Sequence, residues 1–149
     1  MRRGAWFGLV VGLAAGCGGG SGTEGLVPVS GTISVDDQPT GNVVVAFVPQ
    51  GTTGGHGGTG TTDATGRYEI VPPHGSAKAL APGQYKVTLS RRLNPDGSPP
   101  DPKTPPIESN ARETLPTKYT DKEKTELTAN LSAGDKRSFD FAVPSAKKK

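Results

Sequence analysis

Two histidines and one cysteine make up the chain's whole stock of imidazole and thiol ligands. His56 and His74 each stand beside glycine, in Gly55-His56-Gly57 and His74-Gly75, within segments of turn composition. Neither has a second His or Cys at metal-ligand spacing, and a zinc centre takes three or four such ligands. Both read as solvated loop residues. Ser76 lies two positions from His74, but it occupies no G-x-S-x-G elbow, and nearness along a loop does not assemble a triad. Asp36, Asp37 and Asp63 carry oxygens of the kind a hard cation takes. At each of these positions Asp is also the ordinary turn residue, and turn chemistry is the simpler account. Gly55-His56-Gly57-Gly58-Thr59-Gly60 matches G-x-G-x-x-G in letters. That pattern holds a pyrophosphate only where a strand feeds a helix N-terminus, and here Thr61, Thr62 and a turn follow. The expectation is no catalytic residue, no metal and no cofactor.

Cys17, the only thiol, points to different chemistry. Arg2 and Arg3 precede an apolar run of Trp6, Phe7, Leu9, Val10, Val11 and Leu13. The run has signal-peptide length and falls short of the ~20 residues of a spanning helix. The arginines hold the N-terminus on the cytoplasmic face, and Ala14, Ala15 and Gly16 fit a narrow peptidase site. This stretch resembles the bacterial lipoprotein signal, with Ala14 standing where that signal favours leucine. The resemblance implies cleavage before Cys17 and acylation of Cys17, and more than one acyl chain makes a stable anchor. Gly18, in place of aspartate, implies sorting to the outer membrane. A lone cysteine also fits an exported protein without a disulfide framework.

The elements that follow are strands. Gly18 to Gly25 form a flexible tether of roughly 15 Å. Val27, Val29, Ile33 and Val35 alternate with Pro28, Ser30, Thr32 and Ser34, the period-two pattern of a half-buried strand. Gly31 falls on the apolar face and admits a close neighbour. Asn42 to Val48 is apolar on both parities, which predicts a central strand covered on both sides. Thr59 to Asp63 and Arg67 to Val71 follow, joined by the turn Asp63-Ala64-Thr65-Gly66. Gln84 to Ser90, Thr125 to Leu131 and Lys136 to Val143 complete seven strands, and Lys118 to Lys124 allows one turn of helix. The fold class is all-β: a seven-stranded antiparallel Greek-key sandwich. Arg91 to Thr117 contains seven of the fourteen prolines and no periodicity. It reads as a long excursion with extended polyproline segments.

The boundaries are thus a signal at 1–16, lipidated Cys17 and tether over 17–26, a sandwich over 27–143 and a basic tail at 144–149. The formal charge is +3, but Arg2, Arg3, Lys147, Lys148 and Lys149 lie outside the sandwich, and setting aside those five positives takes +3 to −2. No basic face interleaved with aromatics exists, so nucleic acid is not an expected partner. Tyr68, Tyr85, Phe47, Phe139 and Phe141 fall on core-like strand faces. Tyr119, beside the excursion, is the one aromatic expected to offer a contact surface.

Val29-Ser30-Gly31-Thr32-Ile33, Val45-Ala46-Phe47-Val48-Pro49, Thr62-Asp63-Ala64-Thr65-Gly66-Arg67-Tyr68, Pro82-Gly83-Gln84-Tyr85-Lys86-Val87 and Leu115-Pro116-Thr117-Lys118-Tyr119 carry a wider resemblance. Over residues 27–143 the chain resembles small bacterial lipoproteins with a transthyretin-like or carboxypeptidase-regulatory-like sandwich. The resemblance implies a non-enzymatic envelope module with a structural or protein-interaction role. The alternative is a lipoprotein that binds carbohydrate or a cell-wall polymer. Transthyretin-like hydrolases end in Tyr-Arg-Gly-Ser; this chain has Phe141-Ala142-Val143-Pro144-Ser145 there. The expected partners are the membrane, through the N-terminal lipid, and an envelope protein or polysaccharide.

Overall fold

Side chains of Val29–Val35 are buried and half-exposed in strict alternation, as a strand with one face on a core requires. This segment, β1, is the spine of the first sheet in the computed structural model, which describes residues 25–74, 78–133 and 137–146. Strand accounts for 39 % of the residues and helix for 3 %, so the chain is all-β. After β1 come β2 (Gln38–Pro39), β3 (Val44–Pro49), β4 (Gly58–Thr61), β5 (Arg67–Glu69), β6 (Gly83–Ser90), β7 (Arg92–Leu93) and β8 (Arg112–Glu113). The single-turn helix α1 (Thr117–Thr120) precedes β9 (Thr128–Leu131), β10 (Arg137–Ser138) and β11 (Phe141–Val143). Each of the seven expected strand stretches overlaps one of these, with the seventh split into β10 and β11. The short strands β2, β7 and β8 are additional.

Within the first sheet, Ser30 of β1 pairs with Glu69 of antiparallel β5 and with Ser138 of parallel β10. Further along, β1 pairs with antiparallel β2 and parallel β11. The parallel pairing of the first and last strands departs from the purely antiparallel arrangement expected. Parallel neighbours need a long crossover, and here the crossover is the whole chain between them. The second sheet has the order β4-β3-β6-β9 and is antiparallel throughout. Thr59 and Val71 exchange backbone hydrogen bonds of 3.0 and 2.8 Å, and Val27 and Leu80 exchange bonds of 2.8 and 2.9 Å. These two bridges stitch the sheets together.

The core lies between the inner faces. Val29, Ile33 and Val35 of β1 meet Val45 and Phe47 of β3, Tyr85, Val87 and Leu89 of β6, and Ala129 and Leu131 of β9 in one buried cluster. The Phe47 ring lies 6.0 Å from the rings of both Tyr85 and Phe139, a separation at which tilted aromatic pairs attract. The expectation that β3 is covered on both sides is not met. Val43, Val45 and Phe47 are buried, but Val44 is 43 % exposed. Its neighbours in the sheet, Thr61 and Ser90, put a polar outer face around it, so the apolar run reflects β-propensity on the wet side.

Two backbone features fix the first sheet. Asp36 and Asp37, between β1 and β2, have φ of 50° and 63°, the paired positive values of a type I′ hairpin turn. Gly31, in β1, is buried, and a Cβ there would fall on the Phe139 carbonyl. That carbonyl accepts a 2.7 Å hydrogen bond from the Tyr68 hydroxyl. The last strand breaks at this point: Phe139 N–H donates to the Ser30 carbonyl, and Thr32 N–H donates to the Asp140 carboxylate at 2.7 Å. The Asp140 side chain thus replaces a backbone acceptor in the ladder.

Candidate functional site

The Pro-rich excursion is the most distinctive surface of the described residues. Its base is a ladder in which Arg92 pairs with Glu113 and Leu93 with Arg112. One carboxylate gathers that base. Glu113 accepts hydrogen bonds from the Ser90 hydroxyl (2.6 Å) and from the N–H groups of Arg91 (2.8 Å), Thr114 (3.0 Å) and Leu115 (3.0 Å). Thr114 also donates through its N–H and hydroxyl to the Arg91 carbonyl. Arg91 Nε reaches the Gly41 carbonyl at 3.3 Å, and an Arg92 guanidinium nitrogen reaches the Ala111 carbonyl at 2.9 Å.

Beyond the ladder, polar turns shape the excursion. Asn94 N–H donates to the Ser98 carbonyl, and the Asp96 carboxylate takes the Ser98 hydroxyl at 2.6 Å and N–H at 2.9 Å. These bonds, the hydroxyl first, hold the Asp96 carboxyl below the ordinary aspartate value. Asp101 accepts the Lys103 N–H at 2.8 Å. Pro105 and Pro106 lead to Ile107, which is 93 % exposed, against 43 % and 42 % for the next large apolar side chains, Val44 and Val71. Sequence reading marked the excursion but not Ile107. The signal was an isolated aliphatic residue in a stretch without periodicity, which no core pattern requires.

Tyr119, the expected contact residue, is only half-buried in α1 and packs against the core cluster. The Lys118 ammonium sits 4.7 Å from the centre of its ring, within cation–π range. The interaction with Tyr119 raises the Lys118 pKa. The Tyr119 ring is thus shared between the core cluster and the Lys118 side chain. Cys17 and Ser76 lie outside the described residues, as do the signal, the tether up to residue 24 and the lysines of the tail.

The three candidate aspartates serve turns. Asp63 accepts from the Thr65 hydroxyl (2.7 Å), the Thr65 N–H (2.8 Å) and the Arg67 N–H (3.1 Å). These bonds, the Thr65 hydroxyl first, hold its carboxyl below the ordinary value. Asp36 accepts the Ser145 N–H at 2.9 Å and is lowered by its bonds to Ser145. Asp37 occupies the I′ turn. Among the described residues no group of three His, Cys, Asp or Glu side chains gathers around a cation position. His56 and His74, read as unrelated loop residues, are brought face to edge with ring centres 5.8 Å apart.

An open groove of ≈ 390 Å³ lies on the second sheet, lined by Gln50, Gln84, Lys86, Thr128 and Asn130 among others. Its amides and hydroxyls can both donate and accept hydrogen bonds. In comparisons with known proteins, no family model matches the chain, and neither a curated protein nor a solved structure matches it.

Proposed function

We propose that this chain is a lipid-anchored, non-enzymatic module of the cell envelope with a structural or protein-interaction role. In this reading Cys17 carries the acyl chains and the body is a transthyretin-like, seven-stranded Greek-key sandwich. The excursion is its contact region, with Tyr119 at its foot. The observation that carries the reading is Ile107, 93 % exposed on a Pro-rich excursion with a hydrogen-bonded base. The excursion is a series of hydrogen-bonded turns, not the extended polyproline expected, and Ile107 lies in the turn closed by the Glu108 N–H on the Pro105 carbonyl. A segment already ordered in this way loses less entropy when a partner binds it, and a bare aliphatic side chain gains from being covered. The test places a photo-crosslinking amino acid at 107 and, as a control, at exposed Lys122 in cells. A discrete protein adduct from 107 and none from 122 is expected; no adduct from 107 removes the contact region. The anchor is tested separately, by fatty-acid labelling that is lost in Cys17→Ala.

The second reading, binding of envelope carbohydrate, draws on the amide-rich groove beside Gln84 and Asn130. Small polar groups aimed into a concavity are what sugar hydroxyls require. Retention on purified envelope polysaccharide that falls in Gln84→Ala and Tyr119→Ala favours it, and no retention on any polysaccharide excludes it.

A further inference from the structure

The chain's only two histidines meet beside an antiparallel bridge. His56 lies three residues before Thr59 and His74 three residues after Val71, on the two segments that leave the Thr59–Val71 bridge. The imidazoles stand 5.8 Å apart, centre to centre, at 82° to each other. Two features hold the approach in place. The bridge itself has both of its hydrogen bonds, and Gly57, at φ 73°, passes so close to the Phe47 carbonyl that a side chain has no room there. Both histidines are exposed, so their rings are accessible from solvent and have room to turn.

From this geometry we propose that His56 and His74 form a two-imidazole site for a divalent late first-row transition ion. Zn²⁺ bonds to imidazole nitrogen at about 2.0–2.1 Å; the rings stand face to edge, so a turn about the side-chain bonds of these exposed residues aims one nitrogen of each at a common ion. Imidazole favours late first-row ions over Mg²⁺ or Ca²⁺, and the usual order of divalent stabilities puts Cu²⁺ first. The two rings supply two coordination positions, and water or an outside donor supplies the remainder. The ion ties the glycine-rich loop between β3 and β4 to the segment following β5, so binding stabilises the fold by mass action.

The test titrates the full chain with Zn²⁺ and follows the ring resonances of both histidines by NMR, with heat of binding in parallel. One equivalent is expected to shift both sets of signals together. His56→Ala and His74→Ala, both at exposed positions, are each expected to weaken this binding at least about tenfold. Ions held elsewhere, at the Cys17 thiol for example, are common to all the proteins and persist in the double variant. Binding no tighter than that of the double variant, or wild-type affinity in either single variant, overturns the proposal. Ca²⁺ shifting the same resonances at equal concentration also overturns it.

Discussion

Gly31 is the residue on which the first sheet turns. The Phe139 carbonyl occupies the place of its side chain and takes the Tyr68 hydroxyl. Burial pushes the Tyr68 phenol far above its usual range, with the nearby Asp140 carboxylate adding to the effect, so the hydroxyl is a donor at neutral pH. Gly31→Ala is expected to cost at least about 3 kcal/mol, the upper end of overpacking penalties, because the obstacle is backbone. Tyr68→Phe keeps the packing and strands one carbonyl, at about 1–2 kcal/mol. Urea unfolding separates the two, and equal losses would mean that the hydrogen bond, not the space, is what matters. The turn carboxylate Asp63 gives a pH signature. Its folded pKa lies below the ordinary 3.8, so its contribution is complete above that value and is lost as pH falls through the folded one. Stability is expected to hold from neutral pH down to about pH 5 and to decline below about pH 4. Asp63→Asn, which keeps an acceptor oxygen, should flatten part of that acid limb; an unchanged limb would clear Asp63 of any role.

Between β1 and β2 two aspartates hold left-handed backbone, at φ 50° and 63°. Asp36 is retained by its bond to the Ser145 N–H, but the Asp37 side chain makes no hydrogen bond among the described residues, and its φ favours glycine. Asp37→Gly is therefore expected to raise stability by about 0.5–1 kcal/mol, since the strain of a side chain in this region exceeds the added chain entropy. A fall in the urea midpoint would refute it. The alternations at Val29–Val35 and Gln84–Ser90 made their strands legible in the sequence, because inward and outward positions differ in polarity. Val43 to Val48 misled, since β-branched residues suit a pleated surface whether or not it is covered. The parallel partnership of β1 with β10 and β11 was illegible, because periodicity says which face a strand buries and nothing about its direction. The His56–His74 approach was hidden for a related reason: it depends on the Thr59–Val71 bridge between distant segments, which no local pattern announces. The excursion was legible from its prolines alone.

At the scale of the molecule, Leu115, at the end of the expected excursion, belongs to the core, and only the part beyond the β7–β8 ladder is separate from it. No member of the buried cluster lies between Asn94 and Ala111; the cluster passes from Leu89 directly to Leu115. Ala111 is buried but belongs to the excursion's own base, under the Arg92 bond. This part of the excursion is therefore an appendage on the core. Its 18 residues, counted from Asn94 to Ala111, can be replaced by Asn-Gly between β7 and β8, the pairing that a two-residue hairpin favours. Shortening this connection lowers its closure entropy by a fraction of a kcal/mol to about 2 kcal/mol, which offsets the lost turn bonds. The shortened protein is expected to melt within a few degrees of the parent, on the order of 1 kcal/mol either way. If the proposed contact region is correct, it should also lose the partner captured through position 107. Unfolding of the shortened protein would make the excursion part of the scaffold. Folding with capture of the same partner through another surface would move the contact to the sheet faces.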